Sequence, residues 1–315
     1  DLRDNGGGLL REAINISNIF IPKDKEVVSV KSKVRERDET YRTMTTPDDT
    51  EIPLVILINK NSASASEIVS GVIQDYDRGV LMGQRSYGKG LVQNTREVGY
   101  NSRIKLTTSK YYIPSGRCIQ SVMYEDGEPV DIPDDKRSKF KTSNGRIVLD
   151  GGGISPDVKL DLPQSSELLS ALKKDYMIFK FTNAYIENVD TSMANNEFVF
   201  DEFNTFISFL EDQKFSYETE AEELLNELRS QIRAVDVSKL DQQLKIIDQS
   251  LNQMKMTAYE ANKSAIIDAI EIEIATRLAY QRGKAFQRLK NDAEIDEAVK
   301  LLNDPARYQS ILMAK

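Results

Sequence analysis

The sequence has no histidine among its 315 residues, and this absence restricts the catalytic chemistry open to the chain. Serine and cysteine nucleophiles are commonly activated by a neighbouring imidazole, as in Ser-His-Asp and Cys-His sites. Without an imidazole, an activated serine must take its base from a lysine or a carboxylate. We therefore expect any nucleophilic site in this chain to pair serine with lysine.

The chain also has a single cysteine, no long apolar run and more acidic than basic residues. Its single cysteine, Cys118, allows no internal disulfide, and we expect it to be a half-buried small side chain rather than a nucleophile. No run of about 18 apolar residues is present to span a bilayer. The net charge of −8 argues against nucleic acid or an anionic membrane as the main partner.

The remaining composition, 40% hydrophobic and 29% charged, is that of an ordinary globular protein, and the length fits about two domains. Residues 1–8 read as the end of a strand and a glycine turn, so the start of that strand and any targeting signal would lie upstream. The continuous apolar run at 53–58 predicts a buried central strand, whereas 125–146 is polar and loop-rich. The pattern predicts further strands at 26–31, 39–44, 79–83, 91–98 and 102–113, and helices at 9–20 and 65–76.

From about residue 162 the apolar period becomes helical and stays so to the end. We therefore predict an α/β domain over 1–162 and an all-α accessory domain over 163–315. Steps of four and three residues along 240–254 indicate packing against another helix, more simply within the chain than in a coiled-coil dimer. A further long helix is predicted to reach about Lys290. The apolar faces are Leu168, Leu169, Leu172, Tyr176 and Phe179; Phe203, Phe206, Ile207 and Leu210; Leu240, Leu244, Ile247, Leu251 and Met254; and Ile266, Ile270, Ile274 and Leu278.

Ser64 lies in the run Asn61-Ser-Ala-Ser-Ala-Ser-Glu67, between the predicted buried strand and a helix. This position places the N–H of Ala65 near a helix N-terminus, where partial positive charge favours a developing oxyanion. The same run is typical of a polar helix cap, with Ser64 or Ser66 as the cap and Glu67 in the first turn. Composition alone favours the cap.

Lys89, flanked by Gly88 and Gly90, shifts this balance toward catalysis. The glycines let the backbone pass close to another element, and a lysine held in a partly apolar site loses its proton more easily. A neutral lysine amine can then serve as the general base that a serine needs. A lysine between glycines is otherwise usually a solvated turn residue.

Two other motifs point to different chemistry. Residues 83–89 match the first seven positions of the phosphate-binding loop G-x-x-x-x-G-K-[ST], but Gly90 stands where a hydroxyl would bind magnesium. The flanking pattern is strand to strand, so nucleotide binding is disfavoured. Ser170 and Lys173 have the S-x-x-K spacing of penicillin-recognising enzymes, but they fall in an amphipathic helix without partner motifs and are predicted to be surface residues.

Five motifs in order, covering about residues 1–160, resemble those of the C-terminal processing peptidases, also called tail-specific proteases. Their order is harder to produce by chance than any one motif. The motifs are Asp1-Leu-Arg-Asp-Asn-Gly-Gly-Gly8, Asn61-Ser-Ala-Ser-Ala-Ser-Glu-Ile68, Gly83-Gln-Arg-Ser-Tyr-Gly-Lys-Gly-Leu-Val-Gln93, Tyr112-Ile-Pro-Ser-Gly-Arg117 and Gly152-Gly-Ile-Ser-Pro-Asp-Val158.

The resemblance implies a Ser/Lys dyad supported by a glutamine, with the lysine 25 residues after the serine and the glutamine four residues later. These spacings select Ser64, rather than Ser62 or Ser66, as the nucleophile. They make Lys89 the general base and Gln93 the residue that orients it. A neutral glutamine can hold a lysine amine by hydrogen bonding without favouring its charged form.

The resemblance also implies an oxyanion hole made by the amide of Ala65 and that of a glycine, with Gly8 preferred over Gly7. The implied fold is an α/β core of the crotonase/Clp-like protease type with additional strands. The implied activity is that of a serine endopeptidase that cuts proteins near their free C-termini through an acyl-enzyme, without metal or cofactor. It would act outside the cytoplasm, in the bacterial periplasm or cell envelope.

Two features stand outside these motifs. The family carries a PDZ domain upstream of the Asp-Leu-Arg motif, and the sequence begins after that point. The helical region is unexplained by the motifs, and we expect it to form a homodimer, dock an adaptor, shape access to the site or simply stabilise the core. The alternative function is a catalytically silent scaffold whose helical region docks partner proteins.

Overall fold

The computed structural model describes residues 1–120, 122–125, 128–131, 133–161, 166–187, 198–232 and 241–313. Contacts divide the chain into two compact units, Asp1–Leu162 with Ala293–Lys315, and Pro163–Asp292. A mixed α/β part is followed by helices, which confirms the predicted fold class of α/β followed by an all-α region. The predicted boundary itself, at 162 and 163, lies outside the described residues.

The helices and strands follow one another along the chain, with short 3-10 turns between some of them. The described strands are β1 (Glu26–Ser32), β2 (Glu39–Arg42), β3 (Val55–Ile58), β4 (Val80–Gly83), β5 (Leu91–Gly99), β6 (Ser102–Tyr112), β7 (Val122–Glu125), β8 (Glu128–Asp131), β9 (Lys139–Lys141), β10 (Ile147–Leu149) and β11 (Val158–Lys159). The described α-helices are α1 (Leu10–Phe20), α2 (Ala65–Asp75), α3 (Glu167–Lys174), α4 (Met177–Ile186), α5 (Phe203–Asp212), α6 (Glu220–Ile232), α7 (Asp241–Ala261), α8 (Lys263–Leu289), α9 (Ala293–Leu302) and α10 (Pro305–Leu312).

A parallel sheet in the order β11-β4-β3 carries the serine turn. One face of it packs with α1 and α2, and the other packs with α9 and α10. Because both faces are covered, the strands are apolar at successive positions. The strand predicted at 53–58 is present as β3 with Ile56, Leu57 and Ile58 buried, and among the described strands β4 lies between β11 and β3. A continuous apolar run reports that both faces are covered, not which place the strand takes.

Residues 1–9 run beside β3, and no strand is assigned to them, so the expected strand end stays a prediction. The N–H of Leu2 donates to the Leu57 carbonyl (2.9 Å), and the N–H of Ala63 donates to the Asn5 carbonyl (3.0 Å). The chain turns at Asp4, which has a φ of +57°, and this turn prevents regular pairing. The segment therefore touches both the end of β3 and the serine turn.

An antiparallel sheet in the order β2-β1-β6-β5 takes two strands from before β3 in the chain and two from after β4. β5 and β6 form a long hairpin that begins just after Lys89, and its tight turn has Tyr100 and Asn101 in the left-handed region. The stretch predicted as loop-rich over 125–146 also contains β8 and β9, and β7 ends at its first residue. Their polar side chains and short length gave no alternating apolar signal.

The second unit has its own core, built from apolar side chains of α3, α4, α5 and α8. The predicted face on α3 holds for its three leucines, which are buried, but Tyr176 is 65% exposed and Phe179 47%. The chain leaves the helix at Tyr176, where φ is +59°, so α4 does not continue the face of α3. The faces predicted from Phe203 and from Ile266 pack into this core, although Ile207 and Leu278 are only half-buried.

Two long helices differ from their predictions. On α7, Leu244 is buried but Ile247 and Met254 are exposed, so the predicted seam is only partly covered, and Leu240 lies outside the described residues. The helix predicted to reach Lys290 bends sharply at Ala279 and Tyr280. Beyond the bend it folds back, since the Gln287 side chain donates to the Glu271 carboxylate (2.6 Å).

The last two helices do not belong to the helical unit, in contrast to the predicted domain over 163–315. Leu301, Tyr308 and Leu312 are buried with Val80 and Met82 on the parallel sheet. The Tyr308 hydroxyl also bonds the backbone of residue 54, accepting from its N–H and donating to its carbonyl. Helical periodicity shows that a face is buried but not which element covers it. Among the described helices, none has the length and apolar character of a membrane span.

Candidate active site

Ser64 stands at the turn from β3 into α2, at the N-cap position of the helix. Its backbone has φ +57° and ψ −116°, a conformation that non-glycine residues adopt only when their surroundings hold them there. Ser64 is half-buried, whereas Ser62 and Ser66 are buried, and the Ser62 hydroxyl donates to the Leu2 carbonyl (2.7 Å). This arrangement favours Ser64 as the accessible hydroxyl of the three.

Gly7 brings the N-terminal segment against the serine turn. A Cβ at Gly7 would lie 2.8 Å from the Ala65 nitrogen and 3.0 Å from the Ser64 Cβ, and its φ is +93°. The N–H of Gly7 donates to the Asn5 side chain (2.9 Å) and is therefore occupied. Within the described part of the chain, the N–H groups of Ala65 and Gly8 have no hydrogen-bond partner, so these two amides are the candidate oxyanion donors.

Glu67 joins the serine turn to the lysine loop. Its side chain is fully buried, and one oxygen accepts from the N–H of Ser64 (2.8 Å) and the N–H of Lys89 (2.8 Å). The other oxygen accepts from the Ser86 hydroxyl (2.6 Å) and the N–H of Gly88 (2.6 Å). One carboxylate thus fixes the two loops side by side. The sequence indicated Glu67 only as a cap residue, and no local signal pointed to its contacts with residues about twenty positions away.

The charge of Glu67 is held in a nearly water-free place. Burial raises the pKa of Glu67 above its ordinary value, while the bonds from Ser86, Lys89, Ser64 and Gly88 oppose that rise. All four partners point donors at it, so the ionised form satisfies them better than the protonated form. The amides of Gly88 and Lys89 are the donors that a phosphate would need, and the chain's own carboxylate uses them.

The Lys89 and Gln93 side chains take no part in the hydrogen bonds around Glu67. Both are exposed, and Gln93 lies on β5 opposite Thr107. Among the described residues, no hydrogen bond joins the side chains of Ser64, Lys89 and Gln93. The lysine loop is nevertheless fixed at its far end, because the N–H of Gly90 donates to the Gln120 side chain (2.9 Å). The structure therefore brings together the backbones of the predicted dyad but not its functional groups.

The residues set aside by sequence analysis lie where they were expected. Cys118 is half-buried, and burial raises the pKa of its thiol, which is the reverse of what a thiolate nucleophile needs. Ser170 and Lys173 are exposed on α3, in the other unit from Ser64.

Comparison with known proteins gives two family matches, one after the other along the chain. Residues 1–128 match the profile of peptidase family S41, and residues 168–302 match the C-terminal helical domain of a probable PDZ-protease. A carboxy-terminal-processing protease of Bartonella bacilliformis is 44% identical over 124 residues, which cover 39% of this chain and 28% of that protein. A probable CtpA-like serine protease of Staphylococcus haemolyticus is 29% identical over 271 residues, covering 81% of this chain and 47% of that protein.

Among solved structures, a photosystem II D1 C-terminal processing protease aligns with 28% identity over 54% of this chain and 36% of that one, with a TM-score of 0.39. The chain spans less than half the length of the two curated relatives named above. The serine turn, the glycine segment and the lysine loop all fall within the first of the two family matches. On these sequence matches, residues 1–128 of the chain are similar to peptidase family S41.

Proposed function

We propose that the chain carries the catalytic site of a serine endopeptidase that works through an acyl-enzyme. The observation that supports this best is the strained backbone of Ser64, followed by the unoccupied amide of Ala65. The N–H groups of Ser64 and Lys89 are held on one carboxylate oxygen of Glu67. Backbone amides that are already in place stabilise developing negative charge without reorganising during the reaction. The names of the relatives as proteases agree with this chemistry.

In the proposed reaction, the Ser64 oxygen attacks the scissile carbonyl carbon while the neutral amine of Lys89 takes the hydroxyl proton. The oxyanion of the tetrahedral intermediate accepts hydrogen bonds from the amides of Ala65 and Gly8. As the intermediate collapses, the C–N bond breaks and the lysine ammonium gives its proton to the leaving amine. Water then attacks the acyl carbon while the neutral lysine takes its proton; the ester C–O bond breaks, and the lysine returns the proton to the Ser64 oxygen. Gln93 orients the lysine amine.

The substrates and surroundings are part of the same proposal. The name of the Bartonella relative supports cleavage of proteins near a free C-terminus. We propose that the protein acts outside the cytoplasm, in the periplasm or cell envelope, and that the helical unit serves a homodimer or an adaptor. The catalytically silent scaffold is not favoured, because the protease names attach to the part of the chain that holds the site.

The direct test is hydrolysis of casein between pH 6 and 10 by the full-length protein and by this chain. Ser64→Ala should lower the rate by about 10⁴-fold or more. Ser170→Ala, an exposed serine in the helical unit, is the matched control and should leave the rate unchanged. Peptides with free and amidated C-termini then test the substrate class. Hydrolysis that survives in Ser64→Ala would refute the proposed nucleophile.

A further inference from the structure

A buried ion pair connects the two ends of the chain beside the candidate site. Glu294 lies in the first turn of α9, and its carboxylate accepts from the Arg3 guanidinium at 2.5 Å. The two side chains are only 6% and 13% exposed. Arg3 belongs to the Asp-Leu-Arg segment that leads directly to the candidate oxyanion glycines. A residue 291 positions away thus holds the segment that carries them.

The same carboxylate also borders the lysine loop. A Cβ at Gly83 would lie 3.3 Å from the Glu294 side chain and 2.2 Å from the Ile58 carbonyl, and Gly83 has a φ of +121°. Gly83 is the last residue of β4, and the loop that carries Lys89 starts at the next position. Glu294 therefore packs between the segment before the glycines and the start of the lysine loop.

The position of Arg3 is transmitted to the serine turn by short backbone contacts. Leu2 is bonded to Leu57 on β3, and the Asn5 carbonyl accepts from Ala63, the residue before Ser64. Next to Arg3, the Asp4 amide donates to the Asn59 side chain (3.0 Å). A shift of Arg3 by a fraction of an ångström would therefore displace the glycines relative to Ser64, since few bonds separate them.

We propose that Glu294 is a positioning residue for the oxyanion hole, and that α9 and α10 return to the first unit to supply it. This inference rests on the proposed function for its catalytic consequence, but not for its structural one. α9 is well placed for the task because Leu301 and Ala298 are buried against the parallel sheet and fix the helix. A buried charge pair adds little to stability but can fix the position of one element relative to another. Here the pair fixes the segment of Arg3 relative to α9.

The test is Glu294→Gln, which keeps the size of the side chain and removes its charge. We expect kcat for a peptide substrate to fall by about 10-fold or more with KM nearly unchanged, because a small misplacement of a catalytic group costs up to about 100-fold. The matched control is Glu297→Gln on the same helix, where the carboxylate pairs with Lys300; it should leave kcat unchanged. Equal kcat values for the two variants would overturn the proposal while leaving the peptidase function intact.

Two further measurements test the same coupling between Arg3 and Glu294 in other ways. Arg3→Gln should reproduce the loss, and the double variant should be no slower than either single one, because the pair acts as a unit; additive losses would refute the coupling. If the wild-type protein shows no hydrolysis that depends on Ser64, the proposed function fails. Hydrogen exchange then still tests whether Glu294 positions the glycine segment. The amides of Gly7 and Ala63 should exchange faster in Glu294→Gln than in Glu297→Gln, and unchanged exchange would overturn the inference.

Discussion

The serine side and the lysine side of the candidate site are built differently. On the serine side, the backbone of Ser64 is held in a strained conformation, Gly7 lies against it, and the buried carboxylate of Glu67 accepts from its N–H. On the lysine side, the backbone is fixed as far as Gly90, but the functional side chains of Lys89 and Gln93 are exposed. Charge stabilisation is therefore prepared in advance, whereas the base still has to be engaged.

This difference follows from what each role requires. Amides that stabilise an oxyanion act best when they do not move, because reorganisation costs part of their contribution. A lysine that acts as a base has to lose its hydration and its proton, which an exposed ammonium does not do readily. We therefore expect proton transfer to Lys89 to limit the rate. The amides on the serine side set how strongly the oxyanion can be stabilised.

After the loss of the nucleophile itself in Ser64→Ala, the largest expected effect is on the lysine side. Lys89→Ala should lower kcat by about 1000-fold, because it removes the general base while leaving the serine turn intact. Lys105→Ala, an exposed lysine in the middle of the β5–β6 hairpin, should have no effect. The measurement is the rate of acylation by a peptide ester in a single turnover. A rate in Lys89→Ala within twofold of the wild type would show that another group takes the proton.

On the serine side, Gly7→Ala should lower kcat by about 100-fold, since displaced oxyanion donors cost roughly that much each. The added Cβ would lie 2.6 Å from the Ala63 carbonyl and 2.8 Å from the Ala65 nitrogen, at a φ that alanine disfavours. Gly6→Ala is the matched control, because nothing lies within 4 Å of its added Cβ. Similar kcat values for the two variants would mean that the close approach at Gly7 does not matter for catalysis.

Where the two sides meet, Glu67→Gln should slow the reaction by about 10- to 100-fold, because misaligned groups lose rate steeply. The glutamine side chain has a single acceptor oxygen. Its NH₂ group would therefore face N–H groups that donate to the carboxylate in the wild type. Glu97→Gln, an exposed carboxylate on β5, is the control. Crystal structures or amide shifts of Glu67→Gln should show the lysine loop displaced from the serine turn, and an unmoved loop would contradict its role as the link.

Protonation should break the same link. Because the pKa of Glu67 is raised above the ordinary 4.5, activity should fall with an acid limb at a pH above that value. The stability contribution has the opposite sign: the folded protein holds this proton more tightly, so stability from Glu67 is highest below pH 4.5 and declines as pH rises through the raised pKa. As the pH rises from 4.5 through the raised pKa of Glu67, activity should therefore increase and the melting temperature should fall. Both changes are measured against Glu67→Gln, which has no carboxylate at this position.

Sequence analysis predicted most elements of the first unit from local pattern, whereas Ser64 was selected as the candidate by the spacing that the family resemblance implies. It missed Glu67 as the link and Glu294 as a neighbour of the site, because these contacts join residues that are distant in the chain. The break at Tyr176 and the bend at Tyr280 are left-handed conformations without a glycine or proline to indicate them. The return of α9 was missed because an amphipathic helix does not specify its partner.

The smallest expected effect concerns Gln93 and tests whether the lysine side is completed in the working enzyme. One neutral hydrogen bond contributes about 0.5–1.5 kcal/mol, so Gln93→Ala should slow the reaction only by about 2- to 10-fold. Asn94→Ala, the next residue on β5, serves as the control. Gln93→Glu is more informative, since a carboxylate beside an amine favours the charged amine. Its activity should therefore require a higher pH than the wild type. A pH profile that coincides with the wild type would show that Gln93 does not bond to Lys89 during the reaction.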